Sequence, residues 1–309
     1  RWALDEADGG VIDSVGATDG TVSGAVFASQ GAVLDLGEPP VLVAVAPVDA
    51  IAMPAGEVEL EVVVADAEQD EYVASFHLRE VSDADDFTIV VLPDTQYYAD
   101  ADAPQGGDPQ YFHAQTQWIR DNQALYNIVG VIHNGDIVNH GGQAQEWIIA
   151  DAAMQRLETP EASLPEGVPY GVTIGNHDLD TFESTDESTM FNQYFGTSRF
   201  AGRKYYGGHY AADNDENWVT WWAGGLQFVV VSLQWDETPS PAVLAWAKSV
   251  FDAHPDAFGI LNSHYLLTNE GEFGVQGQAI YDALRDTPNV HLMTCGHVSN
   301  EQRRTDVFQ

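Results

Sequence analysis

The chain has 309 residues, a formal net charge of −37 and a sequence pI of about 4.1. Such a surface repels nucleic-acid backbones and anionic membranes, which excludes both as electrostatic partners. No apolar stretch is long enough to span a bilayer.

Residues 1–37 alternate short apolar stretches with turns, as in Trp2-Ala3-Leu4-Asp5-Glu6, Asp13-Ser14, Asp19-Gly20 and Leu34-Asp35-Leu36. They resemble the opening of a laminin-G-like or concanavalin-like sandwich and are expected to be a remnant of one. Pro39-Pro40 marks a boundary. Beyond it, 41–45, 58–64 and 72–78 read as strands. Residues 38–85 therefore resemble a small immunoglobulin-like or fibronectin-like β-sandwich module.

From residue 86 the pattern changes. The apolar run 87–92 suits a central strand. Further strands are predicted at 128–132, 170–174, 218–222, 226–232, 259–262 and 290–295. Helices are predicted at 113–123, 143–157, 241–251 and 275–284. Alternating strands and helices imply a layered α/β domain. Trp218, Trp221 and Trp222 are expected to pack between layers, and His133 to be a core histidine. The single cysteine, Cys295, lies in an apolar run, excludes an intramolecular disulfide, and reads as a buried small residue.

Polar groups recur where these strands end. Asp94 lies in Pro93-Asp94-Thr95-Gln96, and Asp136 in Asn134-Gly135-Asp136. Asn176 and His177 lie in Gly175-Asn176-His177-Asp178; His264 follows Asn262-Ser263, and His297 follows Gly296. Ligands at the carboxyl ends of strands converge on one rim of a sheet. Carboxylate, imidazole and amide donors together suit Mn, Fe or Zn rather than a soft-metal thiolate site. No P-loop, dinucleotide motif or serine nucleophile elbow is present.

Over residues 86–309 these segments resemble the calcineurin-like metallophosphoesterases. The resemblance implies an αββα sandwich preceded by small all-β modules, and two divalent ions. Asp136 would bridge the ions. Asp136, Asn176, His264 and His297 would form a complete second site. Asp94, Gln96, Asp136 and position 299 would form the first. The family's Gly-His-x-His reads here Gly296-His297-Val298-Ser299. Gln96 offers an amide oxygen, and Ser299 is a candidate only for metal or water contact. The first site is therefore expected to be the weaker. Asp94-Thr95-Gln96 resembles a secreted bacterial branch that uses Gln where most relatives use His.

The implied reaction is hydrolysis of a phosphodiester or small organic phosphomonoester by a metal-bridging hydroxide. His177 would protonate the leaving group and Asp178 would orient His177. His140, His209, Arg303 and Arg304 are candidate substrate contacts, with Tyr205, Tyr206 and Tyr210 beside His209. Lysine occurs only at Lys204 and Lys248, and dense carboxylates fit a secreted or cell-surface protein in a marine or high-salt setting. Structural calcium is a candidate use for some of them. The chain ends soon after His297, so the domain is expected to be C-terminally truncated with an exposed sheet edge. The alternative is a degenerate, non-catalytic metal-binding surface or adhesion module.

Overall fold

A computed structural model describes residues 86–104, 107–161, 164–183 and 187–306, together with the strands of the first eighty residues. The chain falls into two compact units, Arg1–Ala84 and Asp85–Gln309.

The first unit contains β1 (Trp2–Ala3), β2 (Gly20–Val22), β3 (Ala25–Leu34), β4 (Val41–Ala46), β5 (Ala52–Met53), β6 (Gly56–Val58), β7 (Glu61–Ala65) and β8 (Tyr72–Glu80). All pairings are antiparallel: β8 lies between β1 and β3, β5 pairs with β3, β2 with β6, and β4 with β7. The division expected at 37/38 does not separate these strands, because β2 and β3 pair with β6, β5 and β8 from beyond it. The side chains of this unit lie outside the described residues.

The second unit runs β9 (Thr88–Leu92), α1 (Gln96–Ala99), α2 (Pro109–Asn122), β10 (Ile128–His133), α3 (Ala144–Met154), β11 (Tyr170–Val172), α4 (Thr189–Phe195) and α5 (Thr197–Phe200). It continues β12 (Tyr206–His209), β13 (Asn217–Ala223), β14 (Leu226–Leu233), α6 (Pro241–Asp252), β15 (Phe258–Ser263), α7 (Val275–Leu284) and β16 (Val290–Thr294). Strands β11, β10 and β9 form one parallel sheet in that order. The other sheet runs β12-β13-β14-β15-β16, antiparallel as far as β14 and parallel thereafter.

The two sheets face each other. Val131 and Ile132 share one buried core with Val219, Trp221, Val230 and Ile260, and Phe112 of α2 and Trp147 of α3 belong to it. Polar groups stitch the layers: Asn262 Nδ2 donates to the His133 carbonyl (3.0 Å) and Asn217 Nδ2 to the Val172 carbonyl (3.0 Å). Alternation along β14 sends Val229 and Val231 the other way, onto Phe251 of α6 and Ile280 of α7. The result is the layered αββα sandwich expected. Among the described residues no helix is long and apolar enough to cross a membrane.

Local chemistry explains the element starts. Asp108 accepts from Gln110 N with Pro109 in the first turn, and Ser240 accepts from Val243 N with Pro241 after it. The Asp108 cap places the start of α2 earlier than the expected residue 113. The tryptophans divide by period two: Trp221 is buried, Trp218 packs on the helix side against His254 (4.9 Å), and Trp222 is 70% exposed. The expectation that all three fill the space between layers is thus corrected. Cys295 is half-buried rather than buried. Strand β16 ends its sheet's order, and Leu292 on it is 45% exposed.

Glu216, just before β13, is buried beside Asp215, Asp213 and Asp236. Burial first, then these carboxylates, push its pKa from 4.5 up to about 7. The folded chain therefore holds this proton more tightly than the unfolded one. Its stabilising contribution is full below about pH 4.5 and is lost as pH rises through about 7. Glu216→Gln should abolish that loss and gain up to about 3 kcal/mol over wild type at pH 8. Urea unfolding at pH 5 and pH 8 measures it; equal pH slopes for both proteins would contradict the assignment.

Candidate metal centre

The predicted ligands all follow strand ends and meet on one rim. Asp94 follows β9, Asp136 β10, Asn176 β11, His264 β15 and His297 β16. The backbone there is held in rarely used conformations. Asp94 (φ 47°), Asp136 (φ 49°) and His297 (φ 70°) are three of only five non-glycine residues with positive φ among those described. Such strain persists where surrounding contacts over-determine it, and it concentrates at functional sites. Two motif glycines are required by close approach. A Cβ at Gly175 would lie 2.1 Å from Asp136 Oδ1, and one at Gly296 would lie 2.4 Å from Asp94 Oδ2.

Four donors converge. His264 Nε2 lies 3.1 Å from Asn176 Oδ1, 3.2 Å from His297 Nδ1 and 3.2 Å from Asp136 Oδ2. His297 Nδ1 lies 3.0 Å from Asn176 Oδ1. The other nitrogen of His264, Nδ1, faces the Asn134 carbonyl at 2.8 Å and must donate to it. Nε2 of a neutral His264 is then a lone pair aimed at acceptor oxygens. An ion holding four donors tetrahedrally at about 2.1 Å would space them about 3.4 Å apart, close to what is found.

Electrostatics point the same way. Burial opposes charge on His264, yet Asp136, with Asp94 and the Asn134 carbonyl, carries its pKa up to about 9. Burial raises Asp136, but the adjacent His264 outweighs it and the net direction is down. Burial, then the charge on His264, holds His297 down to about 4. Asp94 is raised, chiefly by burial. The carboxylates of Asp136 and Asp94 thus favour positive charge at this point of the pocket.

Beside these donors, Gln96 Nε2 donates to Asp136 Oδ2 (2.9 Å), while the buried Gln96 Oε1 has no hydrogen-bond partner. Asp94 Oδ1 accepts from His297 N (2.9 Å). The buried Asn134 Oδ1 is also without a partner. Unpaired buried oxygens are costly, and a cation relieves that cost. The donor set therefore fits divalent metal: Asp136, Asn176, His264 and His297 on one side, Asp94, Gln96 and Asp136 on the other.

Other expected contacts fall elsewhere. Ser299 is exposed, and among the described residues no hydrogen bond joins it to Asp94, Gln96 or Asp136. His209 lies on β12, at the opposite edge of the sheet from β16, paired with the Tyr206 hydroxyl (2.9 Å). Arg304 is bonded to Glu272 and Asp306 and lies over the Phe273 ring. With Arg303 it lines a groove of about 630 Å³ along β16, which also takes in Asn134, Leu292 and Cys295. His140 pairs with Glu146 at 2.8 Å and is mostly solvent-exposed. The one further convergence of His, Asp, Glu or Cys among the described residues is Asp100, His140 and Glu146.

Asp178 also departs from its expected role. Its Oδ1 accepts from Ile137 N (2.7 Å) and Val138 N (2.9 Å), and its Oδ2 from Gly175 N (2.8 Å). It braces the loop that carries Asp136. Burial, then the Asp136 charge, push its pKa up to about 8 against these donors. The His177 ring is held instead by the Asn139 carbonyl, which accepts from Nδ1 at 2.8 Å. The His177 backbone N–H donates to Asp136 Oδ1 (3.0 Å), and Phe182, more than half exposed, meets the ring edge-on at 4.8 Å. His133 is a core histidine as expected: Nδ1 accepts from Gly135 N, Nε2 meets Thr95 Oγ1 (3.0 Å), and burial drives its pKa down to about 3. The sequence reading missed Asn134, Asn139 and Trp235, whose ring packs on His297 at 4.8 Å.

A protein of Bacillus subtilis (strain 168), "Uncharacterized protein YvnB", is 34% identical over 223 residues, 72% of this chain and 16% of that protein. The chain thus spans about a sixth of that relative's length. Among solved structures, purple acid phosphatase PPD1 from yellow lupin (Lupinus luteus) matches with TM-score 0.42 and 13% identity, covering 84% of this chain and 51% of that one. Haemophilus influenzae NAD nucleotidase matches with TM-score 0.39 and 15% identity, covering 69% and 38%. The calcineurin-like phosphoesterase model matches residues 87–300, the stretch that supplies every converging donor, and the chain belongs to that family.

Proposed function

We propose that this chain hydrolyses a phosphate ester, with a phosphodiester favoured, at a two-ion divalent-metal centre. The observation that carries the reading is the convergence of Asp136, Asn176, His264 and His297 on one point. Bound divalent ions supply Lewis acidity and an activated water at neutral pH. Asp136, Asn176, His264 and His297 would hold one ion, and Asp94, Gln96 and Asp136 the other. His177 would act as the imidazolium: with its Nδ1 proton committed to the Asn139 carbonyl, its Nε2 proton passes to the leaving oxygen and the neutral Nδ1–H ring remains.

Charge supports the diester. Among the described residues no Arg or Lys is bonded to the donors, and none appears among the charges that shift Asp94, Asp136, His264 or His297. A monoester dianion would rely on the ions alone for compensation, whereas a diester carries one charge fewer. The exposure of Ser299 favours a second reading, in which only the four-donor site fills and the chain is a non-catalytic metal-binding module.

Manganese titration with bis(4-nitrophenyl) phosphate and 4-nitrophenyl phosphate separates these readings. Saturable turnover with the diester ahead is expected. A folded protein that binds one ion per chain and turns over neither ester at saturating metal would establish the second.

A further inference from the structure

Four consecutive backbone N–H groups, from Ile137 to His140, are captured by two carboxylates. Asp178 takes the first two, as described. Glu146, in the first turn of α3, takes the others: its Oε2 accepts from Asn139 N (2.7 Å) and His140 N (2.9 Å). Its Oε1 lies 2.8 Å from His140 Nδ1. Glu146 is 93% buried, because its relative exposure is 7%. Asn139 Nδ2 also donates to Asp100 Oδ2 (2.8 Å). The peptide unit made of the Asn139 carbonyl and the His140 N–H is thus pinned by Glu146 at its N–H, the Asn139 side chain by Asp100, and that carbonyl is aimed at His177 Nδ1.

We propose that Glu146 is a positioning residue for His177, acting through the Asn139 carbonyl; this rests on the reading of His177 as the proton donor to the leaving group. A carboxylate fits the task because it accepts from two adjacent N–H groups at once, with charge-assisted bonds. Fixing that peptide fixes the acceptor for Nδ1, hence the tautomer and ring direction of His177. The carboxylate touches neither the converging donors nor His177 itself. The logic is that of a carboxylate orienting a catalytic imidazole, with one peptide unit interposed.

The test uses the full chain, manganese and aryl phosphodiesters whose leaving groups run from 4-nitrophenol to phenol. A missing proton donor hurts the poorest leaving group most. For Glu146→Ala, kcat should fall about tenfold with phenol and less than about twofold with 4-nitrophenol, with KM unchanged. His177→Ala should show the same tilt, larger, and Glu146→Gln should restore most of it. Nitrogen-15 spectra of the histidines add a readout independent of turnover: the Nδ1–H tautomer of His177 should lose population in Glu146→Ala. If that variant does not fold, Glu146→Asp, whose carboxylate is drawn back by one methylene, should show the same tilt and tautomer change at smaller size. A uniform loss across all leaving groups, or an unchanged tautomer, would overturn the proposal. A tilt in His177→Ala without one in the Glu146 variants would also overturn it while sparing the His177 reading. No tilt in His177→Ala would remove that reading and the proposal together.

Discussion

Asp136→Asn is expected to lower kcat/KM for an aryl phosphodiester by at least about a thousandfold, while the protein stays folded. Removing one preorganised electrostatic contact from an active site typically costs about 10² to 10³ in rate. Asp136 serves several at once. Its Oδ1 receives the His177 backbone N–H, and its Oδ2 meets Gln96 Nε2 and His264 Nε2. In the proposed centre it is also the one donor common to both ions. Asparagine keeps the size but removes the charge and turns one acceptor into a donor, which would face Gln96 or the His177 amide. Steady-state kinetics at saturating manganese, with circular dichroism to confirm the fold, measure the effect. A loss below about tenfold would mean that Asp136 does not stand between two ions.

Asp178→Ala is expected to be the most destabilising change at the site, by about 4 kcal/mol, although this residue contacts no donor side chain. The substitution strands the N–H groups of three buried residues, Ile137, Val138 and Gly175, at about 1 to 3 kcal/mol apiece when left unsatisfied. Some relaxation or water entry keeps the sum below the upper limit. Asp178→Asn retains one oxygen acceptor and should lose about half as much. Activity should fall with both, because the freed segment carries Asp136. Urea denaturation curves test the order wild type, Asn, Ala. A change under about 1 kcal/mol for Asp178→Ala would show that those amides find other partners.

The positions of the centre were legible because its chemistry is concentrated in side chains that each follow a predicted strand. Asp94, Asp136, Asn176, His264 and His297 could be placed on one rim from strand phase alone. The core strands were legible for a related reason: the apolar runs at 87–92, 128–132 and 226–232 are local signals, whereas the Asp108-Pro109 cap was passed over and α2 was expected four residues late. What stayed hidden runs through the backbone. The partner of His177 is a carbonyl, and the partners of Asp178 and Glu146 are N–H groups, so no residue type announces them. Asp178 adjoins His177 in sequence, but the turn points its carboxylate the other way. His209 has the right chemistry on the wrong edge, since strand order and not sequence decides which loops meet. The short α1, α4 and α5 offered too few turns for a period to show.

Anomalous diffraction from crystals grown with manganese tests the central claim most directly. The expected result is a strong peak within coordination distance of Asp136 Oδ2, Asn176 Oδ1, His264 Nε2 and His297 Nδ1, with a second, weaker peak beside Asp94 and Gln96. Saturating manganese that leaves no peak among those four donors, or that places its strongest peak elsewhere on the chain, would contradict the account.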